Sequence, residues 1–205
     1  MSASHSQPLP NAPERLALPG LVQGLAGTVK AVFGVKQDPD FTSLAEAPRT
    51  IFNVNVTPQR RVATQATSLE RLKAIGEEAG GSINDVLLAA SSGAMRRFLL
   101  ELGELPRKSL VTSIPVALPR DSRQAGGNAI SFANVRLGTD IVDVRERFDV
   151  IRLSSVAGRD FLKQMSTKTL MDYTVLISSP QMLTRLPGIG SRVPPTYNVI
   201  ISNVP

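Results

Sequence analysis

The sequence predicts a mixed α/β fold. Short runs of apolar and β-branched residues at 110–114, 128–137 and 197–204 read as strands, and the long stretches between them repeat apolar residues at helical spacing. Composition agrees: 42% hydrophobic and 20% charged over 205 residues supplies a buried core and is too apolar for a disordered tail.

Taken in order, the opening stretch to about Leu18 is rich in Ser, Pro and Asn and reads as a linker. Residues 18–35 then place Leu18, Leu21, Val22, Leu25, Val29, Val32 and Phe33 on one stripe, an amphipathic helix that Gly20, Gly24 and Gly27 weaken as a free-standing unit. This divides the chain into a linker and amphipathic helical region over 1–48 and a domain over 49–205. Residues 50–56 alternate apolar and polar and predict a strand, followed by a second short one over 62–67. Ser68 is an N-cap for a helix striped by Leu69, Leu72 and Ile75 and stopped by Gly80 and Gly81.

Ser82 or Asn84 caps the next helix, with Asp85 in its first turn against the positive end of the dipole. That helix carries Ile83, Val86, Leu87, Ala90, Ala94 and Phe98 on one face and Leu88, Met95, Leu99 and Leu102 on another, which predicts burial on both sides. Residues 110–114 predict a strand ended by Pro115, and Gly126 with Gly127 turns the chain into the strand over 128–137. Asp143 caps a helix with Val144, Phe148, Ile151 and Val156 inside and Arg145, Glu146, Arg147 and Arg152 outside, and a further helical stretch runs over about 160–177.

The absence of cysteine excludes thiolate catalysis and cysteine zinc sites, and the single histidine, His5, sits in the polar opening stretch without an orienting partner. No metal site is expected. A net charge of +6 favours anionic partners. Nucleic acid is not among them, because aromatic residues make up only 4% and none interleaves with the scattered arginines. No apolar run reaches the roughly 20 residues of a membrane span, and no secretory signal opens the chain. Gly188 and Gly190 lack a third glycine and the strand-turn-helix setting of a dinucleotide loop. Ser91 and Ser92 lie on a helix outside any nucleophile elbow. Glu77 with Glu78, and Glu101 with Glu104, read as solvated carboxylates.

Five segments then occur in order: Arg60-Arg61-Val62-Ala63; residues 69–89, passing through Gly80-Gly81 into Asn84-Asp85-Val86-Leu87; Ile114-Pro115-Val116; Gly127-Asn128 with Ile130-Ser131; and Tyr197-Asn198 with Ile201-Ser202-Asn203-Val204-Pro205. Together they resemble the C-terminal half of the bacterial wax ester synthase/diacylglycerol acyltransferase family. The resemblance implies one chloramphenicol-acetyltransferase-like half of a CoA-dependent acyltransferase fold, with the reaction channel between two halves. It also implies an O-acyltransferase, moving a fatty acyl group from acyl-CoA to diacylglycerol or a long-chain alcohol, with acyl-CoA as a substrate and no separate cofactor.

The family's catalytic motif, two adjacent histidines, three residues, then Asp-Gly, is not in this sequence, so no catalytic residue is assigned to the chain. The expectation is a partial chain, cut at both ends and inactive alone, whose partner is the missing N-terminal half. Within it, Ser202 and Asn203, at the end of a strand, are the oxyanion or channel-lining candidates, one to each face. Asn84, Asp85 and Asn128 shape the channel, and Arg60 and Arg61 meet CoA phosphates. A cytoplasmic protein is expected, peripheral at the inner membrane or at lipid inclusions. The alternative is a non-catalytic module binding such a lipid surface through its basic amphipathic N-terminal region.

Overall fold

A computed structural model of the chain describes residues 38–54, 58–117, 130–183 and 194–203. The predicted helix over 18–35, His5, Asn128 and the glycines at 126–127 and 188–190 lie outside them. In order, the elements are a 3-10 turn (Ile51–Asn53), α1 (Leu69–Ala79), α2 (Ile83–Glu101), β1 (Val111–Ala117), β2 (Ile130–Arg136), α3 (Val144–Lys163), α4 (Thr167–Leu183) and β3 (Val199–Ile200). This is the mixed α/β class that the sequence predicts.

The strands form one sheet in the order β2-β1-β3. β1 and β2 are antiparallel, Val111 opposite Arg136 and Ser113 opposite Asn134, while β1 and β3 are parallel through Thr112 and Ser113. One face of the sheet, bearing Ile114, Ala133 and Val135, meets Ile151, Phe161, Leu162, Leu170 and Tyr173 of α3 and α4 in the core. Gly158 permits the close approach: a Cβ there would stand 3.2 Å from the Ala133 Cβ and 3.3 Å from the Asn134 carbonyl oxygen. Ser154 of α3 also closes the outer edge of β2, its hydroxyl accepting the Arg136 amide at 3.1 Å and sharing a hydrogen bond with Thr42 at 2.7 Å. Thus residues 41–47 pack on α3, with Phe41 against the Phe161 ring.

The helix starts and stops follow the sequence. Ser68 caps α1, and Gly80, at φ 70°, ends it while the Gly81 amide bonds back to the Gly76 carbonyl at 2.8 Å. Ser82 rather than Asn84 caps α2, and Asp143 caps α3. The predicted stretch over 160–177 is divided: α3 runs on to Lys163, and α4 begins at Thr167.

The strands depart further from expectation. Residues 51–53 are a 3-10 turn, because Thr50 and Asn53 close a reciprocal side-chain box around it. The predicted strand over 62–67 is irregular and fully exposed, with no partner strand in the sheet. Pro115 does not end β1. The Val111 and Ser113 carbonyls face β3, accepting from the amides of Asn198 and Ile201, so the N–H that Pro115 lacks belongs to that side, beyond the last paired residue. β3 spans two residues rather than 197–204.

Two burial expectations also change. α2 is buried along Asp85, Leu88, Ser92 and Leu99, but Ala90, Ala94 and Phe98 are exposed, so it lies at the side of the core rather than inside it. Its apolar stripe is wider than the contact that α1, α3 and the end of β2 provide. Arg147, expected on the polar face of α3, is buried. Its stem passes beneath Gly138, and its guanidinium donates to the Ile141 and Val142 carbonyls at 2.8 and 3.3 Å.

Candidate functional site

The entry to β3 is fastened by asparagines. Val111 N–H donates to Asn198 Oδ1 at 2.9 Å, and Asn198 Nδ2 donates to the Pro48 carbonyl at 2.6 Å and to Asn53 Oδ1 at 2.7 Å. Asn53 Nδ2 in turn donates to the Tyr197 carbonyl at 3.0 Å. One buried side chain therefore ties β1, β3 and the 3-10 turn together. Asn134 of β2 does similar work, donating from Nδ2 to the Thr196 carbonyl at 2.9 Å.

These bonds border a cleft of about 160 Å³ between the sheet and α4, at the margin of the core. Leu44, Phe132, Ile177 and Ile200 form its apolar walls. Ser113 and Asn134, direct cross-strand neighbours, are its polar residues from β1 and β2, and Ser178, Thr196 and Tyr197 complete the lining. No charged side chain is among these residues.

None of the expected site residues that lie among the described residues lines this cleft, although Ile200, two residues before Ser202, does. Ser202 and Asn203 are both exposed, and they follow the end of β3, so strand alternation does not assign them to opposite faces. Asn84 and Asp85 sit at the start of α2, away from the cleft lining. There, Asp85 Oδ2 accepts from the Ser82 amide at 2.9 Å and from the Ser82 hydroxyl at 2.7 Å. Asp85 is buried, and its Oδ1 has no hydrogen-bond partner among the described residues. Arg60 and Arg61 are exposed on the irregular stretch before α1. Asn128 is outside the described residues. Sequence reasoning missed Ser113, Asn134 and Asn198 as site-forming residues. The signal available was a polar side chain at alternate positions within otherwise apolar strands.

Among the described residues no cluster of three His, Asp or Glu side chains is placed to hold a metal ion, and no helix is long and apolar enough to cross a membrane.

A small mixed sheet backed by helices, with a cleft without charged lining between sheet and α4, is an acyltransferase architecture by comparison with a solved structure. The wax ester synthase/diacylglycerol acyltransferase from Marinobacter aquaeolei VT8 superposes with a TM-score of 0.61 at 28% identity, over 92% of this chain and 40% of that one. The family profile described as the wax ester synthase/diacylglycerol acyltransferase catalytic domain matches residues 7–87, and that of the WS/DGAT C-terminal domain matches residues 126–205. The chain belongs to the wax ester synthase/diacylglycerol acyltransferase family.

Among its relatives, a putative diacylglycerol O-acyltransferase of Mycobacterium tuberculosis is 37% identical over 83% of this chain and 36% of its own length. One of Mycobacterium bovis is 40% identical over 77% of this chain and 35% of its own length. The chain thus spans little more than a third of these two proteins.

Proposed function

We propose that the chain forms part of an O-acyltransferase that moves a fatty acyl group from acyl-CoA to diacylglycerol or a long-chain alcohol. Family membership carries this reading. In the reaction, a base takes the proton of the acceptor hydroxyl as its oxygen attacks the thioester carbonyl; collapse of the tetrahedral intermediate forms the ester and expels CoA as the thiol after protonation. The base is a histidine of the double-histidine motif, which this sequence does not contain, so it is supplied by a polypeptide segment other than these 205 residues.

The chain contributes binding surface. Arg60 and Arg61, exposed on the stretch before α1, meet the CoA phosphates. Ser202 or Asn203, at the exit of β3, faces the reacting carbonyl. The Asp85 box fixes the start of α2 and so shapes the channel rather than entering the chemistry. The protein works in the cytoplasm, peripheral to a lipid surface where its acceptors reside.

Thiol release from palmitoyl-CoA, with hexadecanol or dioleoylglycerol as acceptor, tests this. The purified chain is expected to release none above background, and addition of a histidine-bearing half from a relative is expected to give turnover. Release by the chain alone that survives His5→Ala, or no turnover from the reconstituted pair, would overturn the assignment.

A further inference from the structure

α4 is apolar on both of its sides. Leu170, Tyr173 and Ile177 enter the core, yet Met171 and Val175, one turn apart on the other side, are 52% and 66% exposed. Its charged residues, Lys168 and Asp172, pair with each other at 3.3 Å. A helix of this pattern is one that is covered on both sides, and among the described residues the outer side is left open. The same chain holds a matching element. Residues 18–35 carry an apolar stripe from Leu18 to Phe33 and a single charge, Lys30. Gly20, Gly24 and Gly27 disfavour a free helix there, so the segment becomes helical by packing that stripe on a partner.

The chain connection limits what this segment can reach. Val35 precedes Phe41 by six residues, at most about 20 Å of extended chain. Phe41 packs on Phe161 with ring centroids 4.2 Å apart, and Phe161 meets Tyr173 at 5.7 Å. The outer side of α4, a helix width of about 10 Å beyond Tyr173, is within that distance. Val142 and Val144, also exposed, lie at the other end of α3, about 25 Å along the helix from Phe161. Direction follows as well. Phe41 sits at the level of Tyr173, and Leu44 lines the cleft beside Ile177 and Ser178, a turn further along α4. The chain therefore enters from the start of α4, and a segment laid on that helix runs back along it. Its length matches, about 27 Å for residues 18–35 against about 25 Å for α4. We propose that residues 18–35 form a helix antiparallel to α4 on its outer face, with Val32 and Phe33 over Met171 and Val29 over Val175. The cleft wall that carries Ile177 and Ser178 is then backed by the N-terminal segment of the same chain. This docking does not depend on the acyltransferase reading.

The test uses the absence of cysteine from the sequence, which makes any engineered pair the only thiols present. In the 205-residue chain, Val29→Cys with Val175→Cys is expected to form an intramolecular disulfide under oxidised glutathione, read by intact mass and by mobility of the monomer, because antiparallel docking brings the two Cα atoms to bridging distance. Val29→Cys with Val144→Cys, whose second site is equally exposed but out of reach, is expected to stay reduced. Equal cross-linking of the two pairs, or none in either, would overturn the proposal. Trypsin cleavage after Lys30 supplies a second measurement on a variant that keeps the core intact: Val175→Glu places a charge under the docked stripe and is expected to speed that cleavage about tenfold, since cleavage follows the population of the undocked form. An unchanged rate would overturn the docking even if the double-cysteine chain does not fold. Flotation of the natural chain on phosphatidylglycerol vesicles without the cross-link would assign the stripe to a lipid surface; neither flotation nor cross-link would assign it to another part of the protein. Either result excludes α4 as its partner.

Discussion

Tyr173 shows how a single group couples the core to solution conditions. Its ring stands edge-on to Phe161, with centroids 5.7 Å apart, and burial pushes its phenol up to about 12 from 10.0, since the phenolate is poorly solvated there. The folded state therefore holds the phenolic proton more tightly than the unfolded one. Stability is unaffected below pH 10 and falls above it by about 1.4 kcal/mol per pH unit until the folded group itself ionises near pH 12. Urea denaturation of Tyr173→Phe is expected to show near-native stability at pH 8 and a flatter decline between pH 10 and 11.5; an identical alkaline decline would assign the loss to other groups. Residues of this kind were only partly legible in the sequence. Asn84, Asp85, Ser202 and Asn203 stood out through their family segments, and all four lie at a helix start or just past a strand end. Ser113 and Asn134 did not stand out. Their significance depends on cross-strand register and on which bonds their neighbours already satisfy, neither of which is written in local spacing.

At the level of elements, the helices were legible because their ends are determined locally: Ser68, Ser82 and Asp143 each accept an orphan amide, and Gly80 supplies a left-handed stop. The strands were less so, since alternation over 50–56 and 62–67 says nothing about whether a partner is present, and the Thr50–Asn53 box wins over extension at the first. The α1–α2 junction illustrates how local and tertiary demands meet. Gly81 follows the left-handed Gly80, and a Cβ on it would stand 2.6 Å from Phe148 Cζ, inside the contact that docks this corner on α3. Gly81→Ala is therefore expected to destabilise by about 1–3 kcal/mol through overpacking. Phe148→Leu in the same chain is expected to relieve part of that loss, giving a favourable coupling energy in a double-mutant cycle of urea midpoints. Strict additivity would mean that the strain at Gly81 lies in its backbone instead.

At the level of the whole molecule, the chain's basic charge lies outside the cleft. The chain carries +6, yet the cleft has no charged lining, and the basic pair Arg60 and Arg61 lies on an exposed stretch before α1. Interactions of exposed charges are screened over about 8 Å at physiological salt, whereas a neutral hydrogen bond in a small cleft is nearly indifferent to it. Affinity of the chain for coenzyme A is accordingly expected to fall severalfold between 0.05 and 0.3 M NaCl, values chosen to shorten the screening length from about 14 to 6 Å. Replacing both arginines, Arg60→Gln with Arg61→Gln, is expected to weaken coenzyme A at low salt and flatten its salt dependence. Isothermal titration at the two salt concentrations makes the comparison. If the double variant keeps the natural salt dependence, the phosphates are held by other basic residues and the assignment of Arg60 and Arg61 falls.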